Sequence, residues 1–259
     1  MSNEASENNR LSSKDFWIAD RGSDFEFRRT ENNHSYDLLI KKYIPAVTQG
    51  TVLEIGSYPG THLTTFGMLG YTLNGVDFNP DNIKGLPQWL KKEGFKIGSF
   101  TNDDFFDYQP IELFDVVSSF GFIEHFENYL EVINRHLDLT KPGGYVVITT
   151  PNFYGFIQHW LHKTFDKENL SIHNVNSMQP DVWAEQLEQN GWEILYSGYF
   201  GGFWFWKGKP QLGWFKRKAI GLIERIIIRL RPLLWFESKA FSAHCGIVAQ
   251  KKINNGINL

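Results

Sequence analysis

Apolar residues along this chain fall into two patterns, short continuous runs and longer stretches in which they recur every three or four positions. The runs predict buried strands, and the spaced stretches predict helices that pack on them. The predicted strands are Thr51–Ile55, Thr72–Val76, Phe95–Ile97, Leu113–Ser118, Tyr145–Thr150, Trp192–Tyr196 and Cys245–Ala249. The predicted helices are Ser35–Lys42, Gly60–Leu69, Asn79–Lys92, Glu127–Leu137, Phe153–Phe165 and Gln179–Gln189. This alternation indicates an α/β fold, a doubly wound and mostly parallel seven-stranded sheet with helices on both faces.

The alternation also divides the chain into four parts. Residues 1–30 are polar and of mixed charge, which predicts a flexible or loosely docked lead-in. Residues 31–198 contain the first six strands and form the predicted core. Residues 199–243 are too long for an ordinary link between strands and predict a helical insert before the last strand. Residues 244–259 carry that strand and a tail.

Composition narrows the class of protein. With 259 residues and 42% hydrophobic positions, we expect one domain with a full core. A net charge of −3 argues against a nucleic-acid partner, because no basic field would displace counterions. The single cysteine, Cys245, and the absence of zinc-like Cys and His spacing predict no metal. The polar first residues and the lack of a long apolar run predict a cytoplasmic protein.

The loops after the first two predicted strands carry candidate binding residues. Gly56 and Gly60 follow the first strand and open a helix, where backbone amides can approach a ligand closely. Asp77 ends the second strand, where a carboxylate can accept hydrogen bonds from both hydroxyls of a ribose. Together these residues predict a nucleoside-containing cofactor. A dinucleotide loop starting at Gly56 would need glycine where Tyr58 and Thr61 stand, so a nicotinamide cofactor is disfavoured.

Four motifs resemble those of class I S-adenosylmethionine methyltransferases, in the same order. They are Val52–Gly60, Gly75–Asp77, Phe114–Val117 and Lys141–Tyr145. The resemblance spans about residues 50–198 and implies S-adenosyl-L-methionine as cofactor on a Rossmann-like methyltransferase fold. The cofactor-binding residues that it implies are Glu54, Gly56, Ser57, Tyr58, Gly60, Asp77, Phe78, Asp103, Asp104 and Phe120. Tyr58 departs from the family's pattern, which has glycine there, so it either narrows the methionine pocket or points outward.

Two histidines are candidates for the base that takes a proton from an acceptor hydroxyl. His125 follows the fourth predicted strand, where it resembles the Glu-His pair of quinone- and glycan-directed relatives. His173 precedes the helix before the sixth strand, where relatives often carry a histidine facing the acceptor. The alternative for His125 is a structural residue that packs against the cofactor.

The predicted insert combines aromatic and basic residues. Apolar residues between 219 and 230 share one helical arc, and basic residues occupy the other. With Trp204, Trp206, Trp214 and Trp235 alongside, this predicts peripheral contact of residues 203–236 with the inner face of a membrane. The alternative is a lid or dimer helix whose apolar face is buried against protein.

We therefore expect an O-methyltransferase acting on a small or lipid-linked acceptor, such as a sugar of a cell-surface glycan intermediate. Its rival is a non-catalytic, methyltransferase-like scaffold at a membrane or partner surface, which Tyr58 would favour. The oligomeric state stays open.

Overall fold

The computed structural model describes residues 10–20, 27–31, 34–205, 218, 221–223, 225–226, 229 and 236–253. Its strands are β1 (Thr51–Ile55), β2 (Thr72–Asp77), β3 (Ile97–Asn102), β4 (Phe114–Phe120), β5 (Thr140–Pro151), β6 (Trp192–Phe203) and β7 (Ser242–Lys251). They form one sheet in the order β3-β2-β1-β4-β5-β7-β6. β7 runs antiparallel to both neighbours, and the other pairs are parallel. The predicted fold class is confirmed.

Helices cover both faces of this sheet. They are α1 (Lys14–Asp20), α2 (Ser35–Tyr43), α3 (Leu63–Met68), α4 (Asp81–Lys84), α5 (Leu86–Lys92), α6 (Tyr129–Asp138), α7 (Phe156–Phe165), α8 (Lys167–Ser171) and α9 (Pro180–Gln189). Val52 of β1 packs into the core shared with α2, α3 and α5, whereas Leu53 and Ile55 pack into the core shared with α6 and α9. Because successive strand residues face opposite sides, a strand buried on both faces needs an unbroken apolar run.

The strand order creates one crevice at the carboxyl edge of the sheet. The chain moves outward from β1 through β2 to β3, then crosses back to place β4 on the other side of β1. The loops after β1 and β4 therefore leave in opposite directions and part from each other. Open α/β sheets bind their ligands at this position.

Several helices and strands begin or end at residues other than those predicted, because of a proline or of pairing with a distant strand. The predicted helix Asn79–Lys92 is two helices, α4 and α5, because Pro87 lacks the amide that would continue the first. The third strand starts at Ile97, where the predicted strand ended. β6 runs on to Phe203, into the predicted insert, because β7 supplies backbone partners as far as the pair Phe203–Ser242.

Part of the predicted insert is described. Residues 218, 221–223, 225–226 and 229 are helical. Ile223 packs against the cluster of Leu161 and Phe205. Trp206, Trp214 and Trp235 lie outside the described residues. Within the described parts of the chain, no helix is long and apolar enough to cross a bilayer.

Candidate functional site

A cleft lies in the crevice at the carboxyl edge of the sheet. Its lining residues are Arg10, Trp17, Gly56, Val76, Asp77, Phe78, Asn79, Asp103, Phe105, Gly121, Phe122, His125 and Phe126. Four of these residues, Gly56, Asp77, Phe78 and Asp103, were predicted as cofactor ligands, and His125 was predicted as a base.

The loop after β1 can hold its shape only with glycine at two positions. Gly56 has φ +68°, and a Cβ there would lie 2.9 Å from Cδ2 of Phe122. Gly60 has φ +77°, and a Cβ there would collide with the Leu86 side chain. Both backbone angles lie in the left-handed region that side chains disfavour. The loop thus brings its backbone to the floor of the cleft.

Asp77 fastens this loop to the end of β2. Its Oδ2 accepts a hydrogen bond from the Tyr58 amide at 3.0 Å, and its Oδ1 accepts one from the Asn79 amide at 2.8 Å. The Asp103 amide donates to the Asp77 carbonyl at 3.1 Å, so the loop after β3 joins the same wall. A carboxylate has about four acceptor sites, so it can accept hydrogen bonds from backbone amides and from ligand hydroxyls at the same time.

The Tyr58 side chain points away from the cleft. It is 2% exposed, and its ring meets the Phe27 ring edge-on with centroids 5.8 Å apart. Phe27 in turn stacks on Trp89 at 5.4 Å. The departure from the family's glycine therefore leaves the cleft open, because the Tyr58 ring packs on Phe27 and is not among the residues that line the cleft.

Asp104, which the resemblance implied as a cofactor-binding residue, has other partners. It is buried, with Oδ1 2.6 Å from Nη2 of Arg10 and Oδ2 2.7 Å from Nζ of Lys14. Its Oδ1 also accepts from the Phe106 amide at 3.0 Å. Burial alone would raise the pKa of Asp104, but the Lys14 and Phe106 hydrogen bonds and the charge of Arg10 hold it below its usual value. Asp103 and Phe105 line the cleft instead.

The remaining predicted cofactor residues surround the cleft without lining it. Glu54 is buried on β1. The Ser57 hydroxyl donates to Oδ1 of Asn82 at 2.7 Å and ties the loop after β1 to α4. The Phe120 ring packs against His62 and Tyr36, with centroids 4.5 and 5.5 Å away. These side chains support the walls.

The two candidate bases lie side by side. The rings of His125 and His173 have centroids 4.6 Å apart. Nδ1 of His125 lies 3.0 Å from the Ile172 carbonyl, and Nδ1 of His173 lies 2.6 Å from the Asn169 carbonyl. A carbonyl only accepts, so each Nδ1 carries a proton, and in the neutral form of either ring the lone pair is on Nε2. Burial lowers the pKa of His173 to about 4.

Glu124 joins this pair. Its Oε1 lies 3.8 Å from Nε2 of His125, and its side chain is 1% exposed. One ligand atom from each of Glu124, His125 and His173 fits within a span of 4.8 Å. A carboxylate and two imidazole nitrogens are suited either to proton transfer or to binding a divalent cation. No metal ligands were predicted from the sequence.

Several lining residues were not anticipated. Gly121 and Phe122 follow β4 as Gly56 follows β1, so the rule that ligands bind after parallel strands could have found them. Asn79 follows the end of β2 closely, so the same rule could have found it. No sequence pattern pointed to Arg10 and Trp17, because they lie in the polar segment predicted as a lead-in.

Comparison with known proteins identifies the family of this chain. Residues 26–197 match the family model described as a methyltransferase domain. The ubiquinone biosynthesis O-methyltransferase of Rickettsia canadensis is 25% identical over 197 residues, covering 70% of this chain and 79% of that protein. The protein of the same name from Rickettsia felis is 28% identical over 101 residues, or 39% of this chain and 41% of its own length.

Solved structures share the fold. An S-adenosylmethionine-dependent methyltransferase from Archaeoglobus fulgidus has a TM-score of 0.51 at 21% identity, covering 91% of this chain and 98% of its own. Phosphoethanolamine N-methyltransferase 2 of Haemonchus contortus, solved with S-adenosyl-L-methionine, has a TM-score of 0.59 at 16% identity, covering 92% and 56%. The chain belongs to the methyltransferase domain family. It is an enzyme that uses S-adenosyl-L-methionine as its cofactor, as the resemblance implied.

Proposed function

We propose that this enzyme transfers a methyl group to a hydroxyl of a small or lipid-linked acceptor. The observation that carries the proposal is the imidazole of His125 in the lining of the cleft, with the ring of His173 4.6 Å away. A hydroxyl must lose a proton as it is methylated, and histidine is the side chain best suited to accept it near neutral pH. The relatives named O-methyltransferases of ubiquinone biosynthesis support a lipid-linked acceptor. A sugar of a cell-surface glycan intermediate remains a member of the proposed class.

The residues of the cleft divide the work between binding and proton transfer. The backbone of Gly56 and Gly60 would hold the methionine end, and Asp77 would accept from the ribose hydroxyls. Asp103, Phe78 and Phe105 would surround the adenine. When bound, S-adenosyl-L-methionine supplies an electrophilic methyl group. Nε2 of His125 would take the proton from the hydroxyl that is methylated. Its Nδ1 proton would stay hydrogen-bonded to the Ile172 carbonyl, which holds the ring in orientation.

Titration of the full chain with S-adenosylhomocysteine by isothermal calorimetry tests the binding part of this proposal. We expect Asp77→Asn to weaken binding at least tenfold, because an amide nitrogen cannot accept from the Tyr58 and Asn79 amides. Asp115→Asn is the matched control. Asp115 accepts from the Thr51 amide at 2.8 Å and from Lys141 at 3.0 Å, at the opposite edge of the same sheet. Wild type that binds no ligand at millimolar concentration would contradict the proposal.

We also propose that α7 and the insert touch a membrane surface peripherally. Phe156 and Trp160 of α7 are 81% and 52% exposed, and Trp204 is 66% exposed. Gln158 donates to the Trp204 carbonyl at 3.0 Å, which brings α7 and this segment together. Exposed basic residues accompany them, namely Lys163, Lys218, Arg225 and Arg229. Exposed aromatic rings beside cations are typical of interfacial lipid binding.

The rival scaffold function has no remaining support in the cleft. Its motivation was a Tyr58 side chain filling the cofactor loop, and that ring packs on Phe27 instead. The alternative for the insert, a lid or dimer helix, is favoured by the contact of Ile223 with the Leu161 and Phe205 cluster. We therefore keep it as an outcome of the membrane test.

A further inference from the structure

Residues 10–20, which we call the strap, lie across the cofactor cleft. Arg10 forms an antiparallel bridge with Phe126, and the Leu11 amide donates to the His125 carbonyl at 2.9 Å. α1 follows and places Trp17 against His125, with ring centroids 4.4 Å apart. Arg10 and Trp17 both line the cleft. This segment was predicted to be a flexible or loosely docked lead-in, and in the structure it packs on the core.

Asp104 is the anchor of the strap. The Arg10 side chain is 8% exposed and that of Asp104 is 3% exposed, with Nη2 and Oδ1 2.6 Å apart. Lys14 binds the other carboxylate oxygen at 2.7 Å. A buried charge is destabilising unless it is paired. Removal of the Asp104 carboxylate would therefore take away the ion pair that offsets the cost of burying the Arg10 guanidinium. The strap and the loop after β3 are therefore coupled.

The Arg10 guanidinium lies among three aromatic rings at the cleft. Its guanidinium carbon lies 4.9 Å from the centroid of the Phe126 ring, 5.6 Å from that of Phe106 and 5.9 Å from that of Phe78. Cations are attracted to the faces of aromatic rings at these distances. Phe78 directly follows Asp77, so Arg10 reaches the wall that we assign to the ribose and adenine.

We infer that the strap is the outer wall of the cofactor site, and that Asp104 is a positioning residue that holds it there through Arg10. The inference rests on the proposed binding of the cofactor in this cleft. If the strap contacts the bound cofactor, it contributes to the affinity for the cofactor. By thermodynamic linkage, the bound cofactor then stabilises the packed position of the strap. The strap also covers His125, where exclusion of water would strengthen the electrostatic interactions of the reaction.

Calorimetric titration of the full chain with S-adenosylhomocysteine tests the contribution to affinity. We expect Asp104→Asn and Arg10→Met each to weaken binding about tenfold. The double variant should be little weaker than either single variant, because both remove the same ion pair. Arg10→Lys keeps the charge and should recover part of the affinity. Arg29→Met is the matched control, since Arg29 pairs with Glu93 at 2.6 Å and does not line the cleft.

Hydrogen exchange of peptides covering residues 10–20 reports on the strap itself. In wild type, S-adenosylhomocysteine should slow exchange of the Leu11 amide, and in Asp104→Asn this protection should be lost. Unchanged protection in Asp104→Asn would overturn the role of Asp104. Variants that release the strap yet bind the ligand as tightly as wild type would overturn its role as a wall. Wild type that binds no ligand would overturn the proposed function as well, which distinguishes the two failures.

Discussion

His125 and His173 come together from different loops, with ring centroids 4.6 Å apart, and each directs its Nδ1 proton to a backbone carbonyl. This shared arrangement fixes the orientation of both rings. The rings are not equivalent, because His125 lines the cleft and His173 stands behind it against Phe153 at 4.8 Å. The geometry therefore favours His125 as the base and His173 as its support.

Replacement of His125 should separate proton transfer from cofactor binding. We expect His125→Asn to lower kcat by about 10²- to 10⁴-fold at saturating cofactor, because that is the usual contribution of a general base. His173→Asn should have a smaller effect. Transfer of radiolabelled methyl groups to cell-envelope extracts measures the loss. His159→Asn is the control, since His159 lies on α7 outside the cleft; equal losses in all three variants would contradict the assignment.

Chelation decides between the two uses of Glu124, His125 and His173. If His125 acts as the base without a metal, prolonged dialysis against EDTA should leave the methyl-transfer rate unchanged. Loss of activity that Mg²⁺ or Mn²⁺ restores would instead assign these side chains to a cation, whose ligand atoms would lie within the observed 4.8 Å span.

Glycine at position 56 should matter for binding as well as for folding. Gly56→Ala and Gly94→Ala both place a side chain at positive φ, +68° and +89°, which costs about 1 kcal/mol of folding stability in each case. Only at Gly56 does the new methyl group meet a neighbour, Phe122 at 2.9 Å. We expect urea denaturation to show a loss in both variants, whereas calorimetry should show weaker S-adenosylhomocysteine binding in Gly56→Ala alone.

Buried histidines should make the fold acid-sensitive. Burial lowers the pKa of His136 and His173 to about 4 and that of His244 to about 3. Unfolded histidine titrates near 6.5, so between these values the unfolded chain binds more protons and stability falls as pH falls. Each histidine contributes at most about 1.4 kcal/mol per pH unit. Urea midpoints measured at pH 7 and pH 5 should show this decrease; a midpoint that is equal or higher at pH 5 would contradict it.

Membrane contact should depend on the exposed rings of α7. We expect wild type to float with phosphatidylcholine vesicles that contain phosphatidylglycerol, and Phe156→Ser to float less. Ile111→Ser is the control, because Ile111 is fully exposed in the loop before β4, at the other edge of the sheet. Absence of wild-type flotation would contradict the proposal, and a dimer in size-exclusion chromatography would favour the alternative of a dimer helix.

The sequence by itself determined the class of fold and the position of the glycine-containing loop after β1. The apolar runs of β1, β4 and β5 predicted strands buried on both faces, and the strand and helix alternation required a parallel sheet. Gly56, Gly60 and Asp77 were recognisable because their roles depend on the local backbone, namely a left-handed turn and the end of a strand. Such features repeat wherever the same local geometry is needed, so a single chain is enough to reveal them.

Only the tertiary structure decided which side chains meet. Asp103 and Asp104 are adjacent and chemically alike, yet one lines the cleft and the other is paired to Arg10 and Lys14, far away along the chain. The direction of the Tyr58 ring depended on Phe27, and the extension of β6 depended on β7. These outcomes follow from burial and charge pairing between distant segments, which no local pattern of hydrophobic and polar residues encodes.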